Sequence, residues 1–436
     1  MTDYSSTRAL IVGAGKSGLA AARFLTARGA AVVISDSKPQ SQSEFPQTTQ
    51  NETDSDGFNL LIQSPGVPLE LPIFERARAR AVPVIGELEL AAAELQGHII
   101  GVTGANGKTT TTALIGHILL HAGRHTLVGG NIGTPVTDLV APSTPQSNVV
   151  LELSSFQLET VQTFKADISL VLNITPDHLD RHGSMERYIG AKARLVETQS
   201  AAGFTILNAA DPNARSLASR TGAHVVWFNT STPSEDAVAS AGGQIWLGLT
   251  PLMPESDIPL PGRHNVENVM AAAAAAWLAH VPVPLIAEAV RSFPGVEHRI
   301  EFVRELDGVR YYNDSKATNV DAAEKAINAF PGGLWIILGG KDKYSDYRPL
   351  APLLAAKARG VLLIGAAAPI IRQHFSEAVP SLPLTDCGTL DVAIRTARRL
   401  AAPGDIVLLS PACASFDQFQ SYEHRGRSFK DLVLSL

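Results

Sequence analysis

Short apolar runs alternate with longer segments of helical periodicity along most of the chain. The first such unit covers residues 8–38: an apolar run, a glycine-rich turn, a segment with Ala and Leu at helical spacing that ends at Gly29, and a second apolar run that closes at Asp36. This order predicts a strand, a helix and a second strand parallel to the first. The polar residues 39–57 that follow have no periodicity and are interpreted as a loop or an insertion.

The same alternation continues after Gln96. Four apolar runs, HIIGVTG, NVVLELSS, ISLVLNIT and FTILNAA, are separated by helix-length segments. HVVWFNTS and GQIWLGLT are interpreted as peripheral strands, and the polar stretch 230–243 between them as a surface turn. The runs VRYYNDS, LWIILGG, GVLLIG and DIVLLSP recur near the end of the chain. The pattern predicts an α/β fold with parallel sheets covered by helices on both faces.

A chain of 436 residues exceeds the size at which one hydrophobic core keeps growing. A new strand pattern begins after Gln96, and SFPGVEHRIEFV carries Pro and Gly at a second apparent boundary near residue 294. We therefore predict three domains, at 1–96, 97–293 and 294–436. The first and last are predicted to be Rossmann-like, and the central one to be a P-loop-type parallel-sheet ATPase domain.

Composition and charge argue against several other classes of protein. The formal net charge of -6 disfavours a basic nucleic-acid-binding surface. Cys387 and Cys413 are far apart and lack metal-ligand spacing, so neither a disulfide framework nor a zinc site is indicated. The N-terminus lacks the pattern of a secretory signal. The uncharged stretch 269–287 is interrupted by prolines, so we interpret it as a buried helix rather than a membrane span.

The strongest chemical motif lies at 104–109, GANGKT, between an apolar run and a helical pattern. Glycines let backbone N–H groups turn toward phosphate oxygens, Lys108 supplies a charge, and Thr109 offers a hydroxyl to Mg²⁺. The GxxGKT spacing is shorter than the usual phosphate loop and points away from ordinary P-loop ATPases. The alternative is a glycine-rich turn with a surface lysine.

Two further motifs end neighbouring apolar runs. Glu152 follows NVVL and is a candidate Mg²⁺ ligand, or a solvated carboxylate at a strand end. Asp177, His178 and Asp180 follow ISLVLNIT, which places an imidazole and two carboxylates at the same predicted sheet edge. A capping turn built from Asp is the alternative for this segment.

GAGKSG at 13–18, with Asp36 closing the next strand, matches the dinucleotide fingerprint. Alone, it is compatible with NAD, with another nucleotide diphosphate, or with no ligand. In RHNVENV, His264, Asn265 and Asn268 are candidates to hydrogen-bond a base or to cap a helix.

The last domain carries polar groups that mostly follow apolar runs. They are His298, Arg299, the segment 314–319, Lys343 and the segment 410–416. Side chains at one edge would form a cationic, hydroxyl-rich surface suited to a carboxylate-bearing amine. Ordinary surface placement is the alternative for each of them.

Over nearly its whole length the chain resembles the Mur ligases of peptidoglycan synthesis. The likeness is carried by GANGKTT, GGNIG at 129–133, ELSSFQLE, TPDHLDRH, YIGAKARL, GRHNVENV, EHRIE, NDSKATN and SPACASFDQF. The DNPR motif of the relative that adds diaminopimelate or lysine does not occur, and NDSKATN with SPACASFDQF looks like the D-glutamate-adding branch.

The resemblance implies an ATP-dependent acid–amino-acid ligase that joins D-glutamate to UDP-N-acetylmuramoyl-L-alanine through an acyl phosphate. Such an enzyme serves cell-wall biogenesis, and hence cell shape and division, in the cytoplasm. ATP and two Mg²⁺ sites are implied. A monomer without nucleic-acid partners or membrane insertion is expected.

The resemblance also implies roles for individual residues. The catalytic set is Lys108, His178 and Lys192. The metal ligands are Thr109, Glu152, His178 and Lys192. The ATP contacts are Gly104, Ala105, Asn106, Gly107, Lys108, Thr109, Thr110, Asn268, Arg299 and Asp314. The contacts to the UDP substrate are Gly15, Lys16, Ser17, Asp36, Ser37, Lys38, Gly66 and Asn131. The D-glutamate contacts are Thr318, Lys343, Ser415, Phe416 and Tyr422.

The assignment of Lys192 rests on the resemblance, and the segment that carries Lys343 departs from the family pattern. By itself Lys192 is a helical lysine; as a family member it would be a carbamate, because an ammonium group cannot ligate Mg²⁺ whereas a carbamate offers anionic oxygens. The family usually has an acidic residue directly after the LGG glycines, where this chain reads Lys341, Asp342 and Lys343.

Three other interpretations compete with this one. A sibling ligase of the folylpolyglutamate type shares the phosphate loop, but it begins directly at the ATPase domain. An NAD-linked oxidoreductase would use the first glycine loop. A non-catalytic nucleotide-binding regulator is disfavoured by the joint presence of Lys108, Glu152, His178 and Lys192.

Overall fold

The computed structural model describes residues 2–38, 43–49, 56–342 and 345–436. The chain forms two compact units. The first comprises Met1–Ile258 and Val266–Phe293, and the second comprises Pro259–Asn265 and Pro294–Leu436. Parts of the predicted loop at 39–57, and Lys343, lie outside the described residues.

The first unit begins with a five-stranded parallel sheet. Its strands are β1 Arg8–Val12, β2 Ala31–Asp36, β3 Gln47–Thr49, β4 Leu60–Gln63 and β5 Val84–Gly86, in the order β3-β2-β1-β4-β5. Its helices are α1 Lys16–Thr26, α2 Pro72–Ala79 and α3 Glu87–Ala92. Strands β1 and β4 are almost wholly buried, as expected for a parallel sheet covered on both faces.

A nine-stranded sheet forms the rest of the first unit. Its strands are β6 His98–Thr103, β7 Thr126–Gly130, β8 Asn148–Glu152, β9 Ile168–Val171, β10 Phe204–Asn208, β11 His224–Thr230, β12 Ala237–Ala241, β13 Gln244–Leu247 and β14 Thr250–Pro254. The order is β14-β13-β12-β11-β10-β9-β6-β8-β7, and the pairings are parallel except for β12 with β13 and β13 with β14. The accompanying helices are α4 Lys108–His121, α5 Val136–Val140, α6 Ser155–Leu158, α7 Leu179–His182, α8 Met185–Glu197, α9 Pro212–Ser216, α10 Arg263–Leu278 and α11 Val283–Ser292.

The surface turn predicted at 230–243 is wrong. Residues Ala237–Ala241 form β12, which pairs in parallel with β11 and antiparallel with β13. Ala237, Val238 and Ala239 are buried. Alanine and serine have little strand preference of their own, so pairing with two neighbours decides the conformation here.

The second unit contains a six-stranded sheet in the order β15-β16-β20-β17-β18-β19. Its strands are β15 Glu301–Leu306, β16 Val309–Asn313, β17 Leu334–Gly339, β18 Ala358–Ile364, β19 Leu384–Gly388 and β20 Ile406–Leu409. Strand β15 is antiparallel to β16, and the other pairings are parallel. The helices are α12 Val320–Asn328, α13 Ala351–Lys357, α14 Ala368–Ala378, α15 Leu390–Leu400 and α16 Tyr422–Leu434. The α/β fold with parallel-dominated sheets is thus confirmed.

Residues 269–278 of the uncharged stretch lie in α10, where every residue from Val269 to Ala276 is buried, and residues 283–287 lie in α11 after a connection in which His280 and Pro282 are exposed. The interpretation as a buried helix is confirmed for the part in α10, and the whole stretch is two helices rather than one. None of the helices in the described part of the chain is both long enough and apolar enough to be a membrane-span candidate.

Glu87 begins α3 and is 2% exposed. Its Oε1 accepts hydrogen bonds from the backbone N–H (2.6 Å) and the hydroxyl (2.9 Å) of Thr137 in α5. Its Oε2 has no hydrogen-bond partner among the described residues. Burial raises the pKa of Glu87 to about 7, although the Thr137 hydrogen bonds oppose the shift.

We expect Glu87 to make stability depend on pH. The folded state holds its proton up to pH of about 7 and the unfolded state only up to about 4.5, so the free energy of unfolding should fall as pH rises through this window. The loss is at most about 3 kcal/mol at ~1.4 kcal/mol per pH unit. Urea unfolding at about pH 5 and about pH 8, which lie near the lower end of this window and above its upper end, measures the loss. Glu87→Gln, which keeps the acceptor oxygen, should lack this component, and parallel pH profiles for the two proteins would contradict the assignment.

Candidate active site

The loop at 104–107 connects β6 to α4. Gly107 is the residue before the helix, with φ of 85°, in the left-handed region that favours glycine. Asn173, just after β9, fixes the loop: its Oδ1 accepts from the N–H of Asn106 (2.8 Å), its Nδ2 donates to the Asn106 carbonyl (3.1 Å), and its carbonyl accepts from the N–H of Ala105 (2.9 Å). The loop is therefore held in place by a residue that the motif does not contain.

Lys108 folds back over this loop. Its Nζ donates to the carbonyls of Gly104 (2.9 Å) and Ala105 (3.0 Å). Thr109 and Thr110 are buried in the first turn of α4. Lys108 thus places an ammonium group at a helix N-terminus, an arrangement suited to phosphate.

Asn268 lies beside the same loop, in the part of α10 that belongs to the first unit. Its Oδ1 accepts from the Thr111 hydroxyl at 3.3 Å. A Cβ added at Gly107 would lie 2.3 Å from that Oδ1. Asn265 instead donates from Nδ2 to the Pro261 carbonyl (2.7 Å). The two asparagines therefore have different local roles.

Glu152 ends β8 and is 2% exposed. Its Oε1 accepts from Nδ2 of Asn131 (2.9 Å), and its carbonyl accepts from the Asn131 N–H (2.7 Å). Its Oε2 is buried without a hydrogen-bond partner among the described residues. A buried carboxylate oxygen without a donor is costly unless a cation or another donor meets it, which suits a hard cation such as Mg²⁺.

Lys192 lies in α8 and is 1% exposed. Its Nζ donates to the Gly104 carbonyl at 2.8 Å, lies 3.4 Å from the Thr103 hydroxyl, and sits 4.8 Å from the centre of the Tyr188 ring. Burial, and then the charge of Lys108, hold the pKa of Lys192 well below its ordinary value, while Asp177 and Glu152 oppose the shift. A lowered pKa makes this amine easier to deprotonate, and the neutral amine is the nucleophilic form.

His178 precedes α7 in the left-handed conformation, with φ of 52°. Its ring lies 4.8 Å from that of Phe156, its Nε2 lies 3.5 Å from Oδ2 of Asp177, and its side chain is 50% exposed. A left-handed histidine is uncommon and strained. The imidazole is therefore accessible, and among the described residues no group of three or more His, Cys, Asp or Glu is arranged to hold a metal ion without a further ligand.

A partly buried polar network lies next to His178, and sequence reasoning assigned no role to its members. Glu159 accepts from Arg181 (2.9 Å) through Oε2 and pairs with Nδ1 of His182 (3.1 Å) through Oε1. Nε2 of His182 lies 3.0 Å from the Ser155 hydroxyl. Arg181 also donates to the carbonyl of Val67, after β4 (2.9 Å). The motifs ELSSFQLE and TPDHLDRH contain four of these five residues, but only the fold brings them together.

The glycine loop of the first sheet has two kinds of glycine. A Cβ at Gly13 would lie 2.7 Å from the Ser64 Cβ, and one at Gly18 would lie 2.0 Å from the Gly13 carbonyl oxygen, so both are required by packing. Gly15 and Gly66 have open space around the Cβ position and are exposed. This is the pattern expected where a ligand approaches the backbone.

Asp36 supports this loop rather than facing solvent freely. Its Oδ2 accepts from the Ala14 N–H (2.7 Å) and its Oδ1 from the Lys38 N–H (2.8 Å). Lys16 donates from Nζ to the carbonyl of Gly133, in the GGNIG segment. Ser37 and Lys38 are exposed, and Ser17 is half-buried.

In the second unit, Asp314 follows β16 and is buried. Its Oδ2 accepts from the Ser410 hydroxyl (2.9 Å) and its Oδ1 from the Ile300 N–H (3.2 Å). Burial raises the pKa of Asp314 to about 7, although the Ser410 hydrogen bond and the charge of Arg299 oppose this. Asp314 thus links the segment that carries Arg299 to the loop after β20.

The backbone around Arg299 adopts a strained conformation. His298 and Ile300, on either side of Arg299, have φ of 66° and 45°. A positive φ is a genuine outlier for a β-branched residue such as Ile300. The Asp314 contact to the Ile300 N–H helps hold the backbone directly after Arg299 in this conformation.

The predicted amino-acid contacts of this unit have varied exposure. Ser415 is 2% exposed, Phe416 is 67% exposed, and Thr318 and Tyr422 are half-buried. The Tyr422 carbonyl accepts from the Ser315 hydroxyl at 2.8 Å. Lys343 lies outside the described residues.

Three family models match consecutive parts of the chain. They are described as the Mur ligase MurD-like N-terminal domain (7–86), the Mur ligase middle domain (102–276) and the Mur ligase, glutamate ligase domain (298–413). The UDP-N-acetylmuramoylalanine–D-glutamate ligase of Solibacter usitatus is 54% identical over 435 residues, covering 98% of each chain. The protein of that name from Acidobacterium capsulatum is 50% identical over 451 residues, covering 99% of this chain and 97% of the relative.

Solved structures agree at the level of the fold. The UDP-N-acetylmuramate-alanine ligase of Thermotoga maritima has a TM-score of 0.62 at 19% identity, covering 98% of this chain and 99% of that one. A pseudomurein peptide ligase type C from Methanothermus fervidus has a TM-score of 0.58 at 17% identity, covering 98% of this chain and 99% of the other. The consecutive domain matches and the full-length identity to curated relatives show that the chain belongs to the Mur ligase family.

Proposed function

We propose that the protein is an ATP-dependent ligase that joins D-glutamate to UDP-N-acetylmuramoyl-L-alanine in peptidoglycan precursor synthesis. The relatives at high identity are named for this activity, and the match covers nearly the whole length of both chains. The observation that carries the proposal is the meeting of a phosphate loop, a buried carboxylate oxygen without a donor on Glu152, and a buried amine of lowered pKa on Lys192.

The proposed chemistry has two steps. A carboxylate oxygen of the nucleotide substrate attacks the γ-phosphorus of ATP, and ADP leaves, which gives an acyl phosphate. The amino nitrogen of D-glutamate then attacks the acyl carbon, and inorganic phosphate leaves with formation of the amide. Lys108 holds phosphate oxygens at the start of α4, where the helix N-terminus also favours negative charge.

Mg²⁺ would be held at two sites, the first by Thr109 and Glu152 and the second by His178 and carbamylated Lys192. The bound ions would neutralise charge on the transferring phosphoryl group. Carbamylation adds CO₂ to the neutral amine of Lys192 with release of one proton, and burial favours the neutral amine. The free Oε2 of Glu152 supports the first site.

The remaining assignments follow the same proposal. The loop around Gly15 and Gly66, with Lys16, Ser17, Asp36, Ser37, Lys38 and Asn131, would bind the UDP substrate. Asn268, Arg299 and Asp314 would contact ATP, and Thr318, Lys343, Ser415, Phe416 and Tyr422 would surround D-glutamate. Because Nδ2 of Asn131 already donates to Glu152, its contact with substrate would come through its remaining groups. We further propose a cytoplasmic monomer without nucleic-acid partners.

Phosphate release provides the test of this function. We expect release that requires Mg²⁺, the UDP-linked alanine substrate and D-glutamate together, because the acyl phosphate must meet its amine before phosphate leaves. A coupled phosphate assay with each component omitted in turn measures it. Equal rates with L-glutamate or L-alanine would contradict the assignment of the amino acid, and specific NADH binding to the first domain would contradict the assignment of the nucleotide.

A further inference from the structure

Arg425 lies in the first turns of α16, and its side chain is the largest of the fully buried side chains among the described residues. It is 1% exposed. Its Nε donates to the Ser315 hydroxyl (2.9 Å), and Nη2 donates to the carbonyls of Ser315 (2.8 Å) and Cys413 (3.1 Å). Nη1 donates to the carbonyls of Cys413 (3.2 Å) and Ala414 (3.3 Å). All these acceptors are neutral oxygens.

These acceptors belong to two loops at one edge of the sheet. Ser315 follows β16, Cys413 and Ala414 follow β20, and the two strands pair in parallel up to Asn313 and Leu409. The end of a third strand also approaches: a Cβ at Gly340 would lie 3.1 Å from Nη1 of Arg425. The guanidinium is therefore hydrogen-bonded to both of the loops that carry Thr318 and Ser415.

The charge of Arg425 is not balanced by a direct ion pair. Across the described ranges, no carboxylate lies within ion-pair distance of it, and Asp417 and Asp314 act only at longer range. Burial lowers the pKa of Arg425 to about 10, so the side chain remains charged at neutral pH. Burying a cation without a counter-ion is costly, and hydrogen bonds to neutral oxygens offset only part of that cost. A positive charge at this place is therefore expected to act on something outside the protein core.

We propose that Arg425 is a positioning residue for the amino-acid substrate: it joins the loops at 314–318 and 410–415, and its charge favours an anionic amino acid at their surface. This inference rests on the proposed function, in which these loops bind D-glutamate. At neutral pH D-glutamate carries two carboxylates, and a buried cation acts on them through a poorly screening interior. The acceptors around Arg425 match the five donors that a guanidinium holds in a fixed planar arrangement, which the ammonium group of a lysine does not have.

The experiment compares D-glutamate with D-glutamine, which lacks one carboxylate charge. In Arg425→Met, we expect the preference for D-glutamate, as a ratio of kcat/KM values, to fall at least about tenfold, the size of one charged contact. The KM values for ATP and the UDP substrate should stay within roughly twofold. Arg425→Lys keeps the charge and should keep most of the preference, even if kcat falls. Arg427→Met, an exposed arginine two positions further along α16, is the matched control.

Two outcomes would overturn the inference: an unchanged D-glutamate preference in Arg425→Met, or an equal loss in Arg425→Lys and Arg425→Met, which would indicate a structural role alone. Arg425→Gln replaces the methionine variant if that variant does not fold. ATP–ADP exchange that depends on the UDP substrate is measured without any amino acid. Its absence in the unsubstituted protein would contradict the proposed function itself, whereas normal exchange with an unchanged preference would contradict only the role of Arg425.

Discussion

Replacing Lys192 by methionine should lower kcat at least about 100-fold, the usual effect of losing an electrostatic group at a reacting centre. The variant should be at least as stable as the unsubstituted protein. Methionine fills nearly the same space without a buried amine to desolvate, and such replacements are often neutral or stabilising. The Gly104 carbonyl keeps Lys108 as a donor at 2.9 Å. Steady-state kinetics and thermal unfolding of the same preparations measure both effects.

The matched control is Lys165→Met, which removes an exposed lysine of the same unit and should change neither property. Carbamylation is tested separately by equilibrating the protein with isotopically labelled bicarbonate and looking for a carbamate carbon by NMR. That signal should disappear in Lys192→Met and persist in Lys165→Met. Full activity of Lys192→Met would contradict the proposed metal site.

Gly107→Ala should lower kcat/KM for ATP by about 100-fold, because a displacement of about 1 Å in a positioning group has effects of this size. The added Cβ would lie 2.3 Å from Oδ1 of Asn268, so the loop or the asparagine must move. The left-handed conformation of residue 107 should add a stability loss of about 1–2 kcal/mol. ATP titrations of the ligase reaction and urea unfolding measure the two effects.

Gly123→Ala separates these causes. Gly123 follows the other end of α4, has φ of 72°, and has open space around the Cβ position. Its substitution should therefore give a similar stability loss with unchanged kinetics for ATP. If both variants lost ATP affinity equally, the Asn268 contact would not be the cause.

Much of the fold follows from local pattern. The buried strands β6, β8 and β9 are continuous apolar runs bounded by turn residues, and the helix of 263–278 is rich in alanine, so run length and composition predict them. Strand β12 was missed because its alanines and serine become a strand only through their neighbours. A single sequence does not show which neighbours a polar segment will meet.

The candidate site likewise contains residues that the sequence predicts and residues that only the fold brings into contact. Glu152 ends β8, and Gly107 and Lys108 lie where the loop after β6 joins α4, at the edge where a parallel sheet binds its ligands, so their positions could be anticipated. Asn173, Arg181 and Arg425 could not, because they act through backbone carbonyls or amides far away in sequence. Arg425 meets Ser315 across 110 residues, and Arg181 meets Val67 across 114. Backbone acceptors leave no mark in the side-chain pattern of their own segment.

Under the proposed function, the contact of Arg181 with Val67 connects the substrate-binding loop of the first sheet to the segment next to His178. The loop after β4 supplies one acceptor for Arg181, and the other acceptor, Glu159, also holds His182. If that loop binds the uridine end of the substrate, we expect its occupancy to be coupled to the sheet edge near His178, and such coupling is reciprocal. The uridine end of the substrate would then be an effector of the chemistry as well as its anchor.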